Sequence, residues 1–203
     1  MFDISIRRII DPHLDRIGAI LAGHGCTANS ISLAGLGLGL GAAALIAVGE
    51  PFLALLPLLA SRFADGLDGA VARASRRTDF GGLLDVTADF CFYGAIPFGF
   101  ILLDPDANAV AGGVLLLSFY VNAASFLGFA ILAEKRRLET QSQGLKNFYY
   151  SRGLLEGTET IIFFCLLCLW PSAFPALSWM FAMLCFLTAS TRLLHARRVL
   201  TDP

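Results

Sequence analysis

Six long apolar runs, separated by short polar turns, restrict what this chain can fold into. They cover residues 30–48, 52–75, 80–103, 107–133, 154–170 and 176–194. A helix needs about 17–25 residues to cross a bilayer, so each run has a suitable length. Hydrophobic residues make up 56% of the chain and charged residues 15%, against about 45–50% and 25% in soluble domains. The sequence therefore predicts an all-α integral membrane protein with six transmembrane helices in one domain, residues 1–203.

An amphipathic helix is predicted ahead of the first span, over residues 2–24. Apolar residues such as Ile6, Ile9 and Leu14 recur at spacings of three and four, and Arg7 and Arg8 lie between them. Basic residues opposite an apolar stripe are typical of a helix in the interfacial plane of a bilayer. We expect this segment to lie on the membrane surface.

The basic residues predict the orientation. All 15 lysines and arginines fall in segments that the six-span topology places on one side. The positive-inside rule assigns that side, with both termini, to the cytoplasm. The net charge of −1 gives no reason to expect nucleic-acid binding.

Four aspartates interrupt the second and third runs on that same side. Asp65 and Asp68 are three residues apart, and Asp85 and Asp89 are four apart, so each pair shares a helix face. Two antiparallel helices would bring the four carboxylates into one pocket, where their mutual repulsion requires cations. Carboxylates without histidine or thiolate select hard ions such as Mg²⁺, Mn²⁺ or Ca²⁺. Four are enough for a two-metal site with one carboxylate acting as a base.

Small residues leave the same helix face bare. Gly66, Gly69 and Ala72 would let a flat ligand such as a nucleotide approach the backbone. The residues alone thus favour metal-assisted phosphoryl chemistry at a membrane surface. The alternative is a buried ion-pair network in which Arg62 and Arg73 tie the helices together, although buried pairs are poor stabilisers.

The spacing of these residues resembles a known signature. The pattern runs Asp65-x-x-Asp68-Gly69-x-x-Ala72-Arg73, then seven residues, then Gly81-x-x-x-Asp85-x-x-x-Asp89. It is similar to that of the class I CDP-alcohol phosphotransferase (CDP-alcohol phosphatidyltransferase) family, although the gap after Arg73 is one residue shorter than in many members. The resemblance covers essentially the whole chain. It implies a six-helix bundle with an interfacial N-terminal helix, and a homodimer.

The resemblance also implies roles for individual residues. Two divalent cations, Mg²⁺ or Mn²⁺, would be held by the four aspartates, and Asp89 would also be the general base. The nucleotide would be bordered by a further set of residues: Gly66, Gly69, Ala72, Arg73, Thr27 and Asn29.

The implied reaction transfers a substituted phosphoryl group, expected to be phosphatidyl, from a CDP-linked donor such as CDP-diacylglycerol to an alcohol, releasing CMP. Membrane lipids would be partners, in a bacterial-type inner membrane with a cytoplasmic active site. Three alternatives remain open: transfer of a small phospho-alcohol to a lipid, a metal-dependent prenyltransferase, and a divalent-cation carrier.

The acceptor alcohol should contact residues outside the signature. Lys146 and Arg152 are candidates for an anionic acceptor, but ordinary positive-inside bias explains them as well. Glu156 and Glu159 open the fifth span and should face the bundle interior. They are expected either to bind acceptor hydroxyls or an ammonium, or to pair with Arg152.

Overall fold

A computed structural model describes residues 3–135 and 157–201, with side chains for residues 10–135 and 157–200. Within these ranges the chain is α-helical and contains no strand. Seven α-helices and one short 3₁₀ turn, Pro171–Ala173, follow in this order: α1 Asp3–Gly23, α2 Ala28–Ala47, α3 Pro51–Ala74, α4 Asp79–Leu103, α5 Pro105–Lys135, α6 Gly157–Leu169 and α7 Phe174–Thr201.

The predicted runs match these helices closely except at two C-terminal ends. The prediction that the last helix ends at residue 194 and leaves a tail was wrong, because α7 continues to Thr201. His195, Arg197 and Arg198 therefore lie on a helix. No glycine or proline occurs between residues 176 and 202, so nothing in the sequence ends the helix earlier. Similarly, α5 continues to Lys135, two residues beyond the predicted end at 133.

Four helices of the described part are long and apolar enough to cross a membrane. They are α2, α4, α5 and the segment Pro171–Leu200, while α6 is apolar but shorter, with 13 residues. The second half of α3 carries Arg62, Asp65, Asp68 and Arg73, which lower its hydropathy.

Threonine caps begin the two helices that meet beside the acidic cluster. Thr27 precedes α2 and its Oγ1 accepts a hydrogen bond from the Ser30 amide at 3.2 Å. Thr78 precedes α4 and its Oγ1 accepts from the Gly81 amide at 3.0 Å. Such caps satisfy amides that have no partner within the helix. They fix where α2 and α4 begin, and hence the register of Asp85 and Asp89.

Glycines allow α2 to approach α3 and α4 closely. A Cβ at Gly39 would lie 2.6 Å from the Phe92 ring, and the Ser61 hydroxyl donates to the Gly35 carbonyl at 2.7 Å. A Cβ at Gly37 or Gly41 would meet no described atom within 4 Å. Of the four glycines in this run, two therefore pack against neighbouring helices, as expected of small residues in membrane bundles.

Aromatic residues fill the centre of the bundle between α4, α6 and α7. Phe100 stacks on Phe174 with ring centroids 4.9 Å apart, and Phe163 stacks on Phe181 at 4.1 Å. All four rings are buried. The same core includes Phe92, which lies three residues after Asp89 and contacts Arg62, so the core borders the acidic stretches of α3 and α4.

Candidate active site

Three of the predicted metal ligands come together where α3 and α4 meet. Asp65, Asp68 and Asp85 each present a carboxylate oxygen, and these oxygens lie within 4.8 Å of one another. Asp68 is buried, whereas the other two are partly exposed. We call these three residues the aspartate trio. Their helical spacing was predicted, and the structure confirms that two helices bring them together.

The trio fits one hard divalent cation. Mg²⁺, Mn²⁺ and Ca²⁺ bind oxygens at about 2.0–2.6 Å, so their ligand oxygens span at most about 4–5 Å. The trio borders a cleft of about 190 Å³ that opens to solvent and is also lined by Ser32, Gly35 and Arg62. A cation there would be reachable from outside the protein.

The first turns of α2 contribute polar groups to this cleft. Ser32 is buried, and its hydroxyl donates to Asp68 Oδ2 at 2.5 Å. Ser32 therefore orients one oxygen of the trio. One turn earlier, the Asn29 side chain lies against α4, where a Cβ at Gly81 would come within 3.1 Å of Asn29 Oδ1. Thr27 lies at the cap and bonds within its own turn, to Ser30.

Asp89 lies next to the trio but interacts with an arginine. Arg62 Nη1 donates to Asp89 Oδ1 at 2.7 Å and lies 3.7 Å from Asp65 Oδ1. The Arg62 side chain is only 10% exposed, while that of Asp89 is 34% exposed. The guanidinium is centred 3.7 Å above the Phe92 ring. The carboxylate predicted to be the base is thus held by a nearly buried cation of the protein itself.

Two of the nucleotide-binding residues predicted on α3, Gly66 and Arg73, lie against α1. A Cβ at Gly66 would come 2.9 Å from Leu14 of α1, so this glycine has a packing role. A Cβ at Gly69 would meet Arg73 Nη1 at 3.4 Å. Arg73 itself donates from Nε and Nη2 to Asp15 Oδ1 of α1, at 3.0 and 2.7 Å.

The predicted acceptor residues are mostly outside the described part of the chain, as Lys146, Arg152 and Glu156 all are. Glu159 lies in the first turn of α6 and is partly exposed. Its neighbour Gly157 faces α4, where an added Cβ would lie 3.3 Å from the Tyr93 hydroxyl.

Sequence reasoning missed two contributors to the site, Ser32 and Asp15. Ser32 lies three residues after Asn29, on the helix turn that faces Asp68. Arg62 was considered only as part of an ion-pair network, and the structure pairs it with Asp89 and Asp65. Asp15 contacts Arg73 from 58 residues away, and nothing local in the sequence indicates that contact.

The arrangement combines the aspartate trio, a cleft that opens to solvent and the partly exposed Asp89 carboxylate beside them. Such a site can hold a phosphate chain through a divalent cation and activate a hydroxyl. The arrangement lies near α1 and within a bundle of apolar helices, so it suits a substrate that is partly lipid.

Comparison with known proteins identifies the class. The sequence pattern of the CDP-alcohol phosphatidyltransferase family matches residues 25–190. The chain belongs to this family, and it is an integral membrane enzyme of the CDP-alcohol phosphatidyltransferase class.

Two relatives illustrate the range of similarity. The chain is 44% identical over 192 residues to the inner membrane protein YnjF of Escherichia coli strain K12, covering 95% of this chain and 93% of that protein. It is 36% identical over 99 residues to the archaetidylinositol phosphate synthase of Pyrococcus horikoshii, covering 48% of this chain and 53% of the synthase.

Solved structures share the fold. The phosphatidylinositol phosphate synthase of Mycobacterium tuberculosis with CDP-DAG bound superposes with a TM-score of 0.73 at 22% identity, over 91% of this chain and 93% of the synthase. Its complex with manganese and citrate gives a TM-score of 0.71 at 22% identity, over 90% and 88% of the two chains.

Proposed function

We propose that this enzyme transfers a phosphatidyl group from CDP-diacylglycerol to an alcohol and releases CMP. The observation that carries the proposal is the aspartate trio, whose oxygens lie within 4.8 Å of one another where α3 and α4 meet. The family membership supports the donor class. The neighbouring synthase structure with CDP-DAG bound supports a diacylglycerol-linked donor rather than a small CDP-alcohol.

In this proposal Asp65, Asp68 and Asp85 hold one divalent cation, and Asp89 takes part in holding a second. Two such cations, Mg²⁺ or Mn²⁺, would neutralise the charge that develops on the phosphoryl oxygens. Ser32 fixes the Asp68 carboxylate by its hydrogen bond. Gly69 and Ala72 leave room for the cytidine diphosphate, and Arg73 faces its phosphates. Thr27 and Asn29 border the same pocket, whereas Gly66 packs against Leu14 of α1.

Asp89 is the general base of the proposed reaction. Its carboxylate accepts the proton of the acceptor hydroxyl while that oxygen attacks the phosphorus distal to cytidine. The oxygen of CMP leaves from the opposite side of the phosphorus. The side chain is 34% exposed, so an acceptor from the cytoplasm can reach it.

The proposed membrane arrangement follows from the helices. We infer that α2 to α7 form six spans and that α1 lies in the interface, within a single domain of residues 1–203. All 15 basic residues favour cytoplasmic termini and a cytoplasmic site, and the E. coli relative favours the inner membrane. A homodimer is part of the proposal on the strength of the family resemblance.

Incubation of the purified protein with CDP-diacylglycerol, Mg²⁺ or Mn²⁺ and a panel of alcohols tests this function. We expect metal-dependent CMP release with at least one acceptor. Asp89→Asn should lower the rate by about 10²–10⁴-fold, the usual contribution of general-base catalysis. Asp79→Asn, at the exposed start of the same helix, is the matched control. Release at the wild-type rate by Asp89→Asn would exclude Asp89 as the base.

The acceptor site has its own test. If Glu156 and Glu159 bind the acceptor together with Lys146 and Arg152, then Glu159→Gln should raise the KM for the acceptor severalfold. The KM for the CDP donor should stay constant. An unchanged acceptor KM in both Glu156→Gln and Glu159→Gln would remove the glutamates from the proposal.

A further inference from the structure

The aspartate cluster contains a cation of its own, the guanidinium of Arg62. Arg62 Nη1 lies 2.7 Å from Asp89 Oδ1 and 3.7 Å from Asp65 Oδ1. The guanidinium therefore bridges the aspartate trio and Asp89. Because the side chain is only 10% exposed, water screens this attraction weakly.

The bundle holds this guanidinium in place from its other sides. Its Cζ lies 3.7 Å from the centroid of the Phe92 ring, and Nη2 donates to the Ser61 hydroxyl at 3.1 Å. Ser61 in turn donates to the Gly35 carbonyl. Arg62 Nε is buried and has no hydrogen-bond partner among the described residues. Arg62 thus has Nη1 at the carboxylates, Nη2 at Ser61 and an Nε without a described partner.

Arg62 affects the two expected cation sites differently. The aspartate trio brackets a space for one cation, with Asp68 fixed by Ser32. A second cation would have to bind Asp89, whose Oδ1 accepts from Arg62. A divalent cation and a guanidinium repel each other strongly at such distances. The second site is therefore weakened as long as Arg62 holds Asp89.

We propose that Arg62 is a positioning residue that imposes an order on cation binding. Resting on the proposed function, the inference is that the trio binds one divalent cation tightly. Arg62 keeps the second site weak by occupying Asp89 until the donor binds. The diphosphate of the donor supplies negative charge that attracts both the second cation and the released guanidinium, whose planar fork matches phosphate oxygens. The base is thereby held in place until a donor is present.

Titration of the full-length protein with Mn²⁺ tests this order, with free Mn²⁺ measured by electron paramagnetic resonance. No donor or acceptor is present. The wild type should show one tight site and a second site weaker by at least about tenfold, the size of one hydrogen bond to a charged group. Arg62→Met fills the same space without charge and should tighten the second site by about tenfold while the first changes little.

Arg62→Lys is the matched control because it keeps a positive charge at a similar reach. It should retain the wild-type order of the two sites. If Arg62→Lys behaves like Arg62→Met, the effect comes from lost stacking on Phe92, and the inference is overturned. If Arg62→Met fails to fold, Arg62→Gln replaces it, since an amide can still donate to Ser61. Two equally tight sites in the wild type, or an unchanged second site in the uncharged variant, would also overturn it.

Addition of CDP to the titration tests whether the diphosphate of the donor draws Arg62 away from Asp89. In the wild type, CDP should tighten the second site, and in Arg62→Met its effect should be smaller. An equal effect in both proteins contradicts the role of Arg62. These measurements stand apart from catalysis: ordered binding without CMP release would refute the proposed function alone. CMP release by a wild type with two equal sites would refute this inference alone.

Discussion

Arg62 and Arg192 are both nearly buried arginines, but their partners differ in charge. Arg192, on α7, is 7% exposed, and its Nη1 donates to Asn122 Oδ1 at 2.9 Å and to Ser125 Oγ at 2.6 Å. Each arginine lies near a phenylalanine ring, and each has a buried Nε without a described partner. Arg62 faces the carboxylates of Asp89 and Asp65, whereas the described hydrogen-bond partners of Arg192 are neutral oxygens.

This difference indicates which arginine a metal ion can displace from its partners. A carboxylate that binds a guanidinium can bind a divalent cation instead, so the Arg62 contact is replaceable. Amide and hydroxyl oxygens on a single helix attract cations far less, so Arg192 acts as a permanent link between α5 and α7. Polar groups of this kind join helices in membranes.

The largest effect is expected from a change in the carboxylates that surround Arg62. Asp85→Asn removes one charge from the trio and should weaken the tight Mn²⁺ site by at least about a hundredfold, since even residues behind the ligands contribute 10–100-fold. Mn²⁺ titration measures this directly. Asp79→Asn, near the start of the same helix, should leave the affinity unchanged. Equal Mn²⁺ affinity in Asp85→Asn and the wild type would show that the trio is not the cation site.

A smaller effect is expected at the other arginine. Arg192→Met should lower the free energy of unfolding by about 1–2 kcal/mol, because the hydrogen bonds between α5 and α7 are lost. Mn²⁺ binding should not change. Thermal unfolding in detergent measures the stability of each single variant, Arg192→Met and Arg62→Met. The Mn²⁺ titration measures the cation affinity of each. A changed Mn²⁺ affinity in Arg192→Met would contradict the distinction between the two arginines.

The smallest effect is expected at a third arginine contact, the pair of Arg73 and Asp15. Both side chains are substantially exposed, 39% and 52%, so the pair should contribute less than about 1 kcal/mol to stability. Asp15→Asn should still raise the KM for the CDP donor by about two- to fivefold, since Arg73 loses the contact that orients it. Asp11→Asn, one turn earlier on α1, serves as the control. Steady-state kinetics with varied donor concentration measure this KM. The same KM in Asp15→Asn and Asp11→Asn would contradict the expectation.

The sequence predicted the helices and the acidic cluster because both depend on local spacing. Apolar runs of membrane length marked the helices, and the i,i+3 and i,i+4 aspartates marked the shared faces of α3 and α4. The tertiary contacts of the charged residues were not predictable in this way. Arg62, Arg73 and Arg192 all counted equally toward the positive-inside bias, yet each has a different partner on another helix.

The extent of the last helix was also missed, for a related reason. Charged residues after residue 194 suggested a tail, but helix propensity continues through them as long as no glycine or proline intervenes. Hydropathy marks where a chain leaves the membrane and not where a helix ends.

The tight contact between α1 and α3 has a consequence for where this protein can be shortened. A Cβ at Gly18 would come 2.7 Å from the Ala70 Cβ, and Leu14 is buried against the same stretch of α3. The match to the family pattern begins only at residue 25. A chain begun there would lack α1 and would expose Leu67 and Ala70, directly beside Asp68. The start of the family pattern is therefore a poor guide to the smallest stable unit, and shortened versions should keep the first helix.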